Sequence, residues 1–198
     1  MSDDPLPDHL KTRYGVETTD EMWAKILVEG NDFWRRNRAR YARVPASPRC
    51  RNCHRPFEGV GGAMLRITQG IRKSDKNPNY CWGCYQFLSN VPGGTEVELT
   101  MFFADIRGST ALAETMSAAE FGGLLNRFYE VAIDTLVLED AFIDNLIGDE
   151  VAAMFVPGFA GPNHARRAIE AGRTLLRETD HGQAGDPWVP LGIGIHTG

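Results

Sequence analysis

The sequence predicts an α/β protein of the α+β kind. A ferredoxin-like antiparallel sheet carries one layer of helices and is preceded by a helix and a small four-cysteine module. Three observations carry this reading. Beyond residue 95 the apolar pattern runs strand, helix, strand, strand, helix, strand. The two middle strands are joined across Gly148-Asp149, which suits a hairpin turn. Upstream, all four cysteines fall in two Cys-x-x-Cys pairs, Cys50 with Cys53 and Cys81 with Cys84.

Composition agrees with that outline. The 198 residues allow one domain plus a small module. Hydrophobic residues at 42% and charged residues at 24% are ordinary for a globular chain. A formal charge of −5 argues against nucleic acid as the main partner. No apolar stretch approaches the ~20 residues that span a bilayer, so no membrane partner is expected. The opening MSDDPLPDHL is acidic and holds two prolines, the wrong chemistry for a secretory signal. The expected location is the cytoplasm, where thiols stay reduced and paired cysteines point to metal before disulfides.

Residues 1–19 lack periodicity and read as a flexible lead-in. Residues 20–45 read as an N-terminal helix, with Met22, Trp23, Ile26, Leu27, Phe33 and Trp34 mostly on one broad face. Its basic end, Arg35, Arg36, Arg38, Arg40 and Arg43, reads as a solvated face that also complements the helix dipole. Residues 46–92 form the four-cysteine module. Its stretch 54–80 is rich in Gly, Pro, Asn and Lys and offers little core, and Asn90-Val-Pro-Gly-Gly94 closes it.

From residue 95 to 198 the sheet domain is expected. Val97, Leu99 and Met101 alternate with polar neighbours before a wholly apolar run, a strand that passes from half-buried to buried. Ser117 and Glu120 form a capping box ahead of a helix with Phe121, Leu124, Leu125, Phe128, Val131 and Leu136 at helical spacing. Residues 142–147 and 151–156 read as hairpin strands. Pro162 opens a second helix with Ala165, Ala168, Ile169, Gly172, Leu175 and Leu176 on one face, and residues 189–196 read as the last strand.

Chemistry concentrates at two turns. In Met101-Phe-Phe-Ala-Asp-Ile-Arg-Gly-Ser-Thr110 an apolar strand delivers Asp105 at its mouth, just ahead of Gly108, Ser109 and Thr110. An Asp there suits helix capping. It equally suits a metal ligand beside an anion-binding turn, because Gly108 allows close backbone approach and a helix N-terminus attracts anions. Asp149, in the hairpin turn, is by itself a turn-former. In a ferredoxin-like sheet, however, the end of the first strand and the hairpin joining the next two share one edge. Two uncompensated carboxylates there repel, and a divalent cation with a taste for hard oxygen relieves the repulsion. Together the two acids and the turn outline a two-metal phosphoryl-transfer site.

These stretches resemble the class III nucleotidyl cyclases, the catalytic domains of adenylate and guanylate cyclases. The resemblance rests on Phe102-Phe-Ala-Asp-Ile-Arg-Gly-Ser-Thr110, Asp144-Asn-Leu-Ile-Gly-Asp-Glu-Val151 and Leu191-Gly-Ile-Gly-Ile-His-Thr-Gly198 and covers about residues 95–198. It implies that Asp105 and Asp149 bind two Mg²⁺ or Mn²⁺ ions, with the Ile106 carbonyl as a further ligand. The turn Arg107, Gly108, Ser109, Thr110 would hold the phosphates of a nucleoside triphosphate, ATP by first expectation. It also implies a head-to-tail homodimer that shares its sites. Where ATP-using members carry a base-reading Lys, four residues before the second acid, this chain has Asn145. That position reads either as a purine-facing amide, leaving guanine or a pyrimidine open, or as a surface strand residue. The family continues beyond the position of Gly198 with further base-reading and transition-state residues, so the catalytic domain is expected to be incomplete. A catalytically weak regulatory or dimerisation module is the alternative.

Two Cys-x-x-Cys knuckles favour one structural Zn²⁺ held by Cys50, Cys53, Cys81 and Cys84, with an Fe–S cluster or redox thiols as alternatives. A loop poor in core residues needs such a staple. His54 could substitute, though four thiolates already complete the site. His9, His164, His181 and His196 lie in polar or terminal contexts, none at ligand spacing with another.

Overall fold

A computed structural model describes residues 6–30, 32–44 and 48–198. The lead-in residues 1–5, the first two residues of the cysteine module and the side chain of Phe33 lie outside the described set. The chain forms two compact units, residues 1–98 with 156–162 and residues 99–155 with 163–198.

The first unit opens with α1 (Asp8–Tyr14). Leu6, Leu10 and Tyr14 are buried, so residues 8–14 of the expected flexible lead-in form a packed helix. Its apolar side chains are too few to register as a period. α2 (Thr19–Ala24) starts with a reciprocal cap between Thr18 and Glu21 and runs into a π-helical turn, Lys25–Glu29. The chain breaks at Gly30, at φ 84°, before α3 (Asp32–Ala42). The single helix expected over 20–45 is therefore two. A Cβ at Gly30 would stand 2.4 Å from the Gly158 carbonyl oxygen, so close backbone packing requires glycine at this break.

Arg38, expected on a solvated face, is fully buried instead. It donates to the Asn52 carbonyl at 2.8 Å and lies 4.6 Å over the ring of Phe159. The coreless loop expected over 54–80 contains α4 (Gly59–Gln69), and α5 (Trp82–Asn90) follows. Glycines in its first turn masked α4. Gly62 is needed there because a Cβ would meet the Phe57 backbone at 2.4 Å.

The second unit is built on a four-stranded antiparallel sheet. β1 (Thr100–Ile106), α6 (Ser109–Thr115), α7 (Ala118–Leu138), β2 (Phe142–Ile147) and β3 (Glu150–Phe155) lead to α8 (Pro157–Ala160), which belongs to the first unit. α9 (His164–Glu178) and β4 (Leu191–Thr197) complete the sheet domain. Strand order is β2-β3-β1-β4, the ferredoxin-like order expected. The Ser117–Glu120 cap opens α7 as its sequence requires, with the Glu120 carboxylate accepting the Ser117 N–H at 2.9 Å.

β1 starts at Thr100, so residues 96–99 precede the strand. The run expected to be wholly buried alternates instead: Thr100, Phe102, Ala104 and Ile106 are buried, whereas Phe103 is 37% exposed. One layer of helices covers one face of the sheet, and period-two geometry sends every second side chain to the other. Gly172 brings α9 onto the covered face, since a Cβ there would contact Phe102, Ile193 and Ile195 at 3.5–3.6 Å. His164, in a polar stretch of sequence, is buried. Its Nδ1 lies 2.8 Å from Thr100 Oγ1, which also lies 2.8 Å from Thr197 Oγ1.

Candidate active site and metal centre

β1 and β3 are paired so that Asp105 stands opposite Glu150, the residue after Asp149. The Ile106 N–H donates to the Asp149 carbonyl at 3.2 Å. The two acids expected to act together thus sit at adjacent strand ends, linked by one backbone hydrogen bond. Among the described residues no Lys or Arg forms an ion pair with either carboxylate. The chemistry of the set, hard carboxylate oxygens that form no ion pair although the Arg107 guanidinium lies near Asp105, fits Mg²⁺ or Mn²⁺.

The turn from Arg107 to Thr110 joins β1 to α6. The Arg107 N–H donates to the Pro190 carbonyl at 2.8 Å, fixing the turn against the start of β4. Gly108 adopts φ 67°, and no side chain caps α6 behind it. Beside the turn lies a cavity of about 320 Å³ lined by Ser109, Thr110, Phe121, Leu125, Gly148 and Asp149. It therefore joins the glycine turn to the second acid. Asn145 of β2 pairs with Ala152 of β3, which places it on the same sheet face as Asp105. It is exposed, and its Oδ1 accepts the Leu146 N–H at 2.9 Å.

Two residues that sequence reasoning left unassigned shape this site. Gly192 of β4 stands opposite Asp105. A Cβ there would fall 2.5 Å from Asp105 Oδ1 and 2.3 Å from Arg107 Nε, so glycine makes the room in which both side chains lie. Its signal was the glycine alternation in Leu191-Gly-Ile-Gly-Ile195. Tyr129 of α7 donates from its hydroxyl to the Gly148 carbonyl. Burial, and then the charge of Asp149, raise its pKa, which keeps the phenol protonated and a donor. No spacing rule could have linked it to a turn 19 residues away.

In the first unit the four cysteines converge, their Sγ atoms all within 4.8 Å of one another and all four residues buried. Tetrahedral zinc with Zn–S near 2.3 Å requires S···S edges of roughly 3.8 Å, and Cys53 and Cys81 stand 3.8 Å apart. Cys50 and Cys53 bracket a small hairpin closed by the Arg49–Pro56 bridge, with His54 at φ 60°. Cys81 precedes α5 and Cys84 lies in its first turn, where the helix dipole favours thiolate. The Cys81 N–H also donates to Cys50 Sγ at 3.3 Å. Hydrogen bonding within the cluster pulls the Cys50 and Cys81 thiols down and pushes Cys53 and Cys84 up.

With the sheet order and the two acid-bearing strand ends in place, about half of the chain is similar to class III nucleotidyl cyclase domains. No family model matches the chain. It is 32% identical over 104 residues to the adenylate cyclase of Anabaena cylindrica, covering 50% of this chain and 21% of that protein. It is 31% identical over 103 residues to the terminal-differentiation-specific adenylate cyclase of Dictyostelium discoideum, covering 50% of this chain and 5% of that one. The solved adenylyl cyclase CyaB from P. aeruginosa is 30% identical, with 51% of this chain and 56% of that chain covered and a TM-score of 0.43. The chain thus spans about a fifth or less of the length of these two curated relatives. Among the described residues no helix is long and apolar enough to cross a membrane.

Proposed function

We propose that the second unit converts a nucleoside triphosphate, ATP in the first instance, into a 3′,5′-cyclic nucleotide and pyrophosphate for cytoplasmic signalling. The observation that carries this is the link between Ile106 and Asp149, which holds two acid-bearing turns together at one sheet end beside the glycine turn. Asp105, Asp149 and the Ile106 carbonyl would hold two Mg²⁺ or Mn²⁺ ions, which supply positive charge for the triphosphate and the ribose 3′-oxygen. The ribose 3′-oxygen forms a bond to the α-phosphorus, the bond from that phosphorus to the pyrophosphate oxygen breaks, and the 3′-hydroxyl proton leaves to solvent. Gly108 and the uncapped first turn of α6, with Ser109 and Thr110, seat the phosphates. Arg107, over Gly192, lies close enough to Asp105 to share that work.

Asn145 favours a second reading of base choice. An exposed amide on the face of Asp105 both donates and accepts, so it can read guanine as well as adenine. The sites belong to a head-to-tail homodimer, a reading supported by the exposure of Phe103 (37%) and Ile147 (57%) on that same face. The four thiolates of the first unit hold one structural Zn²⁺, as their spacing supports.

The test incubates the longest available form with Mn²⁺ and each of ATP, GTP, CTP and UTP and identifies cyclic products by mass spectrometry. A cyclic product is expected, with loss of at least ~10²-fold in Asp105→Ala. A folded dimer that cyclises none of the four refutes the enzyme, and full activity in Asp105→Ala refutes the metal assignment.

A further inference from the structure

The first unit holds a cavity of about 190 Å³, lined among others by Arg55, Gln69, Arg72, Cys81, Trp82 and Gly83. No carboxylate lines it. Arg55 lies 5.0 Å over the ring of Tyr41 and Arg72 lies 5.3 Å over Trp82. Trp82 is itself stacked on Tyr85 at 6.5 Å. Guanidinium groups held over aromatic faces lose little freedom on binding an anion. Arg55 Nε is shielded from solvent and has no hydrogen-bond partner. The Gln69 side-chain oxygen is occupied by the Tyr41 hydroxyl at 2.9 Å, so that amide offers its N–H groups to a ligand.

Counter-charging the thiolates explains part of this positive charge but not its amount. Residues 35–84 hold twelve Lys and Arg against two Asp and Glu, a surplus of ten in a chain whose formal charge is −5. Four thiolates around one divalent ion leave a net charge of only about −2. The cavity is also below the ~300–1,000 Å³ of drug-sized ligand sites. Its size, its donors and the local field all select a compact, multiply charged anion.

We propose that this cavity is a binding site for a phosphate group, gripped by Arg55 and Arg72 beside the four-cysteine centre. It is separate from the acid-lined site of the second unit and would take inorganic phosphate, pyrophosphate or the terminal phosphates of a nucleotide. The shared chemistry is a phosphate oxygen fork facing guanidinium N–H donors.

The experiment titrates the metal-replete 198-residue chain with sodium phosphate, sodium pyrophosphate and ADP by calorimetry, at constant ionic strength against sodium chloride. Trp82 emission is followed in parallel and assigned with Trp82→Phe. Saturable one-site binding of at least one probe is expected, weakened at least tenfold in Arg72→Ala and in Arg55→Gln with metal content unchanged. The strongest binder identifies the source of the phosphate. Should Arg55→Gln lose its metal, the exposed Arg72 decides alone. Heats no greater than those of chloride, or binding that Arg72→Ala leaves intact, overturn the proposal.

Discussion

Replacing Tyr129 by Phe removes one hydroxyl and leaves the ring that packs beside Phe128, 5.8 Å between centroids. What is lost is the donor to the Gly148 carbonyl, the residue at φ 60° immediately before Asp149. A neutral hydrogen bond contributes about 0.5–1.5 kcal/mol net, and each ~1.4 kcal/mol is tenfold in rate. If the bond serves to hold the hairpin, the loss should appear as a two- to tenfold fall in kcat/KM. The apparent affinity for Mn²⁺ should weaken by a similar factor. Tyr129 is only half-buried, so the melting temperature should move little. The assay measures the initial rate of cyclic-nucleotide formation across a Mn²⁺ series, with thermal denaturation alongside. Unchanged metal dependence together with a clear drop in melting temperature would refute the positioning role and leave Tyr129 a packing residue. An unchanged rate and an unchanged Mn²⁺ response would refute it as well.

Gly192→Ala should cost activity at least tenfold with the sheet intact, because its methyl would occupy the space of Asp105 Oδ1 and Arg107 Nε; circular dichroism beside the rate measurement separates site from fold. Cys84→Ser should lower the bound zinc from one ion per chain and make the first unit sensitive to protease, with metal analysis and limited digestion as the checks. Full zinc occupancy in that variant would remove Cys84 from the ligand set. Thr100→Val removes the hydroxyl partner of the buried His164 Nδ1 and should destabilise the second unit by about 1–3 kcal/mol, read as a shift in the urea midpoint without a change in slope.

The sheet domain was legible because its elements are long and each carries its own period. The Ser117–Glu120 cap, the Gly148 hairpin and the α7 and α9 stripes each pointed to one answer. The first unit was harder. α1 has only seven residues, and the first turn of α4 holds Gly62, required by its contact with the Phe57 backbone, a tertiary fact. Arg38 illustrates the general obstacle. Five arginines near a helix end read as solvated charge, yet one of them is the largest fully buried side chain among the described residues. Its partners are the Asn52 carbonyl and Phe159, 121 residues further on, which no local pattern could supply. At the candidate site, the two acids drew notice by type and turn context. Gly192 and Tyr129 were not, because their roles are defined by what lies across a strand or a helix.

The strand that carries Asp105 also gives a reason for a second protomer. Its covered face holds Phe102, Ala104 and Ile106 under the helices, while the other holds Met101, Phe103 and Asp105. On that second face the neighbours of Phe103 are Ala152 on one side and Gly194 on the other, so small residues leave the ring standing proud of the sheet. Asn145 pairs with the same Ala152. Apolar area left in water forgoes about 25 cal/mol per Å², and an isolated antiparallel sheet need not carry a Phe on its wet side. Covering Phe103 and enclosing a base over Asn145 would be accomplished by the same surface. On the proposed reading, a partner subunit that buries Phe103 would also wall in Asn145, so that base selection and association would be one property of this face.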